Sequence, residues 1–253
     1  MTWALIISLV ISLYIPQSSI LNDSQITKHI KKTVSDKDIC EQVLNLYEIY
    51  KKENEKFKHK EEELNNKLKE LNSNRAATTE QFNVVYQQYL DAKKPLDSVL
   101  TESLYKIRNL LTDSEWSSLV KATSNNQKKI KRQRKKQINK LNKSLERLNK
   151  GIVEGIKDSK KRTKAFIALD GFKKKLNKIQ KKYDTIREKE NSLTLKKDIS
   201  KNDIAELQDD INKQWWNIFN LFSDSRSIIL ELTTEEEWDV IQKEIDNKKY
   251  NIR

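Results

Sequence analysis

Apolar residues recur at helical spacing along most of this chain, and the series breaks only at short polar segments. The first series has a three- and four-residue spacing, interrupted at Asn54 and Glu61, and comprises Cys40, Val43, Tyr47, Tyr50, Phe57, Leu64, Leu68 and Leu71. This spacing predicts a helix with a coiled-coil seam. A second series from Phe82 to Val99 predicts an antiparallel partner helix, with 72–74 as the loop. Pro95 predicts a kink or a join between two helices.

Helix starts are indicated by Ser or Thr followed three residues later by an acid or Gln. We assign four helix starts from this capping pattern here: Ser35-x-x-Asp38, Thr78-x-x-Gln81, Thr112-x-x-Glu115 and Ser200-x-x-Asp203. At the third, Leu111 and Trp116 also occupy the positions of a hydrophobic staple. The residues 35–125 are therefore predicted to form a helical hairpin followed by a short capped helix.

The capped corner at Thr112 recurs 122 positions later as Thr234-Glu-Glu-Glu-Trp238. At this offset similar residues align at Phe82/Ile204, Val85/Leu207, Tyr89/Ile211, Ile107/Ile229, Leu110/Leu232, Thr112/Thr234, Glu115/Glu237, Trp116/Trp238 and Leu119/Ile241. The alignment predicts a weak internal repeat of a helix, a corner and a short helix. The two tryptophans are interpreted as core anchors rather than as an aromatic recognition site.

Two further apolar series lie between these corners. The first comprises Ile138, Leu141, Leu145, Leu148 and Ile152, and the second comprises Phe172, Leu176, Ile179, Tyr183, Ile186 and Leu193. Because a segment containing Gly151 and Gly155 separates them, they predict an antiparallel coiled-coil arm over residues 126–200. Residues 201–253 are predicted to be C-terminal helices that pack on the base, with Trp215-Trp216 docking the arm.

The N-terminal segment has a different character. Residues Trp3–Ile15 contain no charged side chain and are followed by Pro16. A run of this length is typical of a signal peptide and short for a membrane span. Residues 1–19 are therefore predicted to be a signal peptide, with an uncleaved anchor as the alternative, and 20–34 a polar tether. The protein is expected to be exported, to a periplasm, a cell surface or the medium.

Composition supports an all-α, elongated protein. Three Gly and two Pro provide little turn chemistry for sheets, and a hydrophobic content of 36% is low for a large round core. The single cysteine, Cys40, excludes an internal disulfide and a zinc site with several cysteines.

The positive charge is concentrated in one segment. Residues 128–200 contain 26 basic and 8 acidic side chains, whereas 1–127 are neutral and 201–253 are acidic. Within 128–150, eleven Lys or Arg accompany one acid, Glu146. The candidate binding residues are Lys128, Lys129, Lys131, Arg132, Arg134, Lys135, Lys136, Lys140, Lys143, Arg147 and Lys150, supported by Lys160, Lys161, Arg162 and Lys164.

The sequence lacks the motifs that are typical of catalytic and metal-binding sites. The sequence contains no Gly-rich phosphate loop, no nucleophile elbow and no cluster of metal ligands, and His29 and His59 are its only histidines. We therefore expect a non-enzymatic protein without metal or cofactor. The basic segment predicts nonspecific binding of double-stranded DNA or another polyanion. Anionic lipid, an acidic protein partner and a homodimer through coiled-coil faces remain open.

The alternative function is that of an exported helical chaperone, or of a surface antigen that binds host proteins. On LTDSEW, its partner TEEEW and the basic run, the chain resembles the paralogous family twelve proteins of Borrelia. That resemblance implies an α-helical protein with a coiled-coil segment and nonspecific DNA binding, in a family made up largely of lipoproteins. No cysteine follows the N-terminal run closely. A weaker resemblance is to the Spy/CpxP-type periplasmic chaperones, which carry paired LT-x-x-Q corners.

Overall fold

The computed structural model describes residues 21, 25–194, 196 and 198–246, apart from some helical side chains that include those of 123–131, 133 and 134. The described residues form seven helices and no strand. The helices are α1 (Ile26–Thr33), α2 (Lys37–Ser73), α3 (Thr79–Leu110), α4 (Asp113–Gly155), α5 (Ser159–Thr194), α6 (Lys201–Glu231) and α7 (Glu235–Asp246). The all-α prediction is confirmed. The predicted signal peptide or anchor lies outside the described residues, and no helix within them is both long and apolar enough to span a membrane.

Side-chain caps fix the starts of these helices. Thr78, Thr112 and Ser200 form the predicted capping boxes at α3, α4 and α6. The first long helix differs from prediction, because Asp36 and not Ser35 caps α2 and accepts a hydrogen bond from the Ile39 N–H at 2.9 Å. Each cap satisfies backbone N–H groups that the first helical turn leaves without a partner.

The repeat extends over almost all of the described chain. The backbone N–H of Ser35 donates to Glu115 Oε1 at 3.2 Å, and 122 positions later Lys157 donates to Glu237 Oε1 at 3.3 Å. Two similar four-helix units follow, which we call unit A (26–124) and unit B (148–246). Helix α4 belongs to both units. Its first turns form the fourth helix of unit A, and its last turns form the first helix of unit B. The repeat predicted from the corners is confirmed.

Each unit contains one long antiparallel hairpin. In unit A, α2 packs along α3 as predicted, and in unit B, α5 packs along α6. The arm predicted for 126–200 is not confirmed, because the α5 seam faces α6 rather than α4. The Phe172 ring, for example, contacts the Phe222 ring edge to face, with centroids 6.5 Å apart. A heptad seam shows which face of a helix is buried but does not identify the partner helix.

One local prediction also differs from the structure, and at Pro95 the join between two helices, one of the two predicted alternatives, is excluded. The segment interpreted as a tether contains α1, whose Ile26 and Ile30 are fully buried. Two apolar residues in a short polar helix are too few for a periodic signal. Pro95 lies inside α3, which continues through it to Leu110.

The two units meet through equivalent helices, α3 and α6. Tyr86 stacks on Phe219 with ring centroids 3.7 Å apart, and Tyr89 stacks on Trp215 at 5.1 Å. Trp215 therefore joins α6 to α3, and not an arm to a base. The same interface buries Lys93, whose ammonium group contacts Asp97 at 2.5 Å and Asn212 at 3.0 Å. Burial of a charged side chain is offset here by these polar partners.

Candidate polyanion-binding surface

Helix α4 carries the whole of 128–150, so the basic run lies in the helix that joins units A and B. With 43 residues it is about 64 Å long at ~1.5 Å per residue. Its first turns are held by α1 and its last turns by α7. The basic run is therefore displayed on a helix that the fold anchors at both ends.

The described part of this run has one buried face and one exposed face. Leu141, Leu145, Leu148 and Ile152 are at most 4% exposed and lie along one side at helical spacing. Arg132, Lys136, Lys140, Lys143 and Arg147 follow the same spacing on the opposite side, and we call these five residues the basic stripe. The first four are exposed and Arg147 is half-buried. Lys135 is exposed beside the stripe.

The charges of the basic stripe are not balanced by ion pairs with described acidic side chains. Within the described part of the chain, no ion pair involves any of its five side chains. Three pairs four residues apart are like-charged: Arg132/Lys136, Lys136/Lys140 and Lys143/Arg147. At roughly 0.2–0.5 kcal/mol each, these repulsions destabilise the helix by about 0.6–1.5 kcal/mol. A bound anion would offset that cost.

Lys150 differs from the stripe although the sequence placed it in the same set. Its ammonium group lies 2.6 Å from Glu244 Oε1 and 3.5 Å from Glu154 Oε1. The hydrogen bond to Glu244 is the main reason that the pKa of Lys150 is raised above its ordinary value. Lys150 therefore already has two anionic partners from the protein itself.

Two glycines bring Glu244 to that position. A methyl group at Gly155 would lie 2.8 Å from the Glu237 carbonyl oxygen, and one at Gly151 would lie 3.1 Å from the Ile241 Cα. Only glycine allows α7 to approach α4 so closely. The sequence showed this G-x-x-x-G, but we missed its role because such spacing also occurs without contact. A small-residue face opposite the short helix that Thr234 caps is the signal that would have identified the crossing.

The remaining predicted residues fall into two groups. The side chains of Lys128, Lys129, Lys131 and Arg134 lie outside the described residues, although their backbone is helical. Lys160, Lys161 and Lys164 are exposed in the first turns of α5, and Arg162 is half-buried. The Lys161 N–H donates to Asp158 Oδ1 at 2.8 Å, and this bond is the main reason that the pKa of Asp158 is lowered. Among the described side chains, no hydrogen bond or ion pair joins these four residues to the basic stripe.

The tryptophan corners lie inside the fold. Trp116 is 5% exposed and Trp238 is 2% exposed, so the interpretation as core anchors is confirmed. Each indole has a guanidinium group over it, from Arg108 at 5.7 Å and from Arg226 at 5.8 Å. Arg226 also donates to the carbonyl oxygens of Asn74 and Ala77, at 2.7 and 3.0 Å. These contacts hold the corners together and leave little aromatic surface for a partner.

Among the described residues, no group of His, Cys, Asp or Glu side chains is arranged to hold a metal ion. His59 is exposed on α2, and Cys40 and His29 are half-buried.

No family model, no curated protein and no solved structure matches this chain. The resemblance to the Borrelia proteins stays a prediction.

Proposed function

We propose that this protein binds extended polyanions, double-stranded DNA among them, without sequence specificity, through the basic stripe of α4. The observation that carries the proposal is a row of five cations that form no ion pair with any described acidic side chain, opposite a buried face of the same helix. From Arg132 to Arg147 the row extends about 22 Å at ~1.5 Å per residue. The proposed function is non-enzymatic.

The stripe has the chemistry of phosphate contact and lacks that of base recognition. Lys and Arg side chains release counterions when they bind phosphates, and this provides affinity that does not depend on sequence. The segment 132–147 contains no aromatic residue on which single-stranded bases could stack. Nonspecific binding to a regular backbone is therefore the mode that these residues favour.

A membrane surface fits the same residues less well. A helix that lies in a bilayer interface inserts apolar side chains beside its cations. The described side chains on the exposed side of α4 between 132 and 147 are basic, Asn and Glu, because the leucines face the protein. Binding to anionic vesicles but not to duplex DNA would replace the proposal with a lipid-binding one.

The alternative of a chaperone or host-protein-binding antigen would use either the tryptophan corners or the coiled-coil faces. Because Trp116 and Trp238 are buried, that function needs another surface. Export also remains a proposal that rests on the sequence of Trp3–Ile15, which lies outside the described residues.

The proposal is tested by gel shift with unrelated duplexes of equal length. We compare the full chain with a stripe variant in which all five stripe residues are changed to Gln, which has a helix propensity similar to that of Lys. The matched control removes five exposed lysines of α1 and α2: Lys31, Lys32, Lys52, Lys58 and Lys69. We expect every duplex to shift with the wild type and the control, and to shift much more weakly with the stripe variant. Equal loss in both variants would mean that net charge alone drives binding.

A further inference from the structure

The C-terminal boundary of the basic stripe is the feature that carries an inference beyond the proposed function. By sequence, Lys150 continues the row after Arg147 with the same three- and four-residue spacing. In the structure, its ammonium group is paired with two carboxylates, one from its own helix and one from α7. The row of Lys and Arg residues therefore continues to Lys150 in the sequence. The row of cations that pair with no described carboxylate ends at Arg147 in the structure.

Helix α7 holds its carboxylate in place. The Glu244 side chain is only 12% exposed, whereas Lys150 is 54% exposed. A methyl group at Gly151 would lie 3.5 Å from the Glu244 Cβ, so the backbone of α7 packs directly against α4 beside this pair. Glu244 therefore has little freedom to move away when an anion approaches Lys150.

We propose that Glu244, with Glu154, acts as an internal competitor that withholds Lys150 from the polyanion and ends the bound footprint at Arg147. This inference rests on the proposed function of the basic stripe. A phosphate that approaches Lys150 would compete with a carboxylate hydrogen bond of 2.6 Å and would meet the negative charges of Glu244 and Glu154. Helix α7 thus determines where along α4 the contact with the polyanion ends.

The inference is tested with the full chain by measuring duplex affinity over a range of salt concentrations. The slope of log affinity against log salt changes by about 0.9 for each phosphate that the protein neutralises. We expect Lys143→Gln to make the slope shallower by the equivalent of about one phosphate and Lys150→Gln to leave it unchanged. A release variant, Glu154→Gln with Glu244→Gln, should make the slope steeper by the equivalent of about one phosphate.

Two controls separate release of Lys150 from a general loss of negative charge. Adding Lys150→Gln to the release variant should restore the wild-type slope, and Glu62→Gln with Glu70→Gln, two exposed acids of α2, should leave the slope unchanged. Circular dichroism melting checks that each variant is folded. The inference is overturned if Lys150→Gln makes the slope as shallow as Lys143→Gln does, or if the release variant keeps the wild-type slope. A wild type that binds no duplex at low salt would overturn the proposed function, and this inference with it.

Discussion

The ring of Tyr89 and the indole of Trp215 stack across the interface between the two units, with centroids 5.1 Å apart and planes inclined by 20°. Tyr89 lies on α3 and Trp215 lies on α6, which are equivalent helices of the repeat. The two copies of the unit therefore face each other through the same helix. The middle of α4 connects the two units along the chain, lies outside this interface and carries the basic stripe.

Replacing Trp215 by Ala should destabilise the whole protein. The side chain is 1% exposed, and removal of a buried aromatic ring costs about 3–5 kcal/mol. Trp216→Ala is the matched control, because this neighbouring indole is only half-buried and should cost clearly less. Urea unfolding followed by far-ultraviolet circular dichroism measures both. Equal losses would contradict the assignment of Trp215 to the interface between the units.

The close approach of α4 and α7 predicts opposite effects of the same substitution at two glycines. Gly155→Ala places a methyl group 2.8 Å from a carbonyl oxygen, so it should lower the free energy of unfolding by about 1–3 kcal/mol, the usual order of magnitude for overpacking. Gly171→Ala meets no atom within 4 Å in α5 and should raise it by about 0.5–1 kcal/mol through helix propensity. If both variants were stabilised in thermal melts, the packing described for α7 would be wrong.

The N-terminal caps of α4 and α7 predict that removal of either cap lowers the free energy of unfolding by a similar amount. Thr112 and Thr234 accept hydrogen bonds from the N–H groups of Glu115 and Glu237, at 3.3 and 3.2 Å. Thr112→Ala and Thr234→Ala should each cost about 1 kcal/mol in urea unfolding, because each leaves one N–H of the first turn without its cap. A large cost at one corner and none at the other would show that the two units are not equivalent there.

Glu61 predicts a pH dependence of stability. Burial raises the pKa of its carboxyl above the ordinary 4.5, although the Tyr89 hydroxyl, which donates to it at 3.0 Å, and Lys58 act in the opposite direction. Because the folded chain holds this proton more tightly than the unfolded chain, the wild type loses stability as pH rises from about 4.5 through the raised pKa. Glu61→Gln keeps an acceptor for Tyr89 and lacks this loss.

The stability of Glu61→Gln relative to wild type should therefore increase from acidic to neutral pH, as measured by urea unfolding at each pH. Glu62→Gln, at an exposed neighbouring position, provides the control. A difference between Glu61→Gln and wild type that stays constant over this range would contradict the predicted burial effect.

The sequence predicted those parts of the fold that depend on local chemistry. The capping boxes at Thr78, Thr112 and Ser200 are present because side chain and backbone interact within a few residues. The α2–α3 hairpin was predicted because only a short polar segment, 72–74, separates two apolar series that are adjacent in the sequence. The partner of α5 could not be predicted in this way, since an apolar seam fits any complementary seam. Helix α1 was missed because tertiary contacts of Ile26 and Ile30 stabilise it, rather than its own periodicity.

The candidate surface, too, was predicted only as far as local sequence patterns allow. The sequence identified the basic residues, and helical spacing was sufficient to place Arg132 and Lys143 on one face. Lys150 was assigned to the same set because its partner Glu244 lies 94 positions away and on another helix. Pairing of this kind depends on how α4 and α7 cross, which in turn depends on two glycines whose role no local pattern reveals.

The central claim is tested most directly by the salt dependence of duplex binding to the full chain, followed by fluorescence anisotropy. If the five stripe residues each contact a phosphate, log affinity should fall with log salt with a slope of roughly −4 to −5. The stripe variant should lose most of that slope, whereas the α1–α2 control should keep it. A wild-type slope near zero, or a stripe variant with the wild-type slope, would contradict the account.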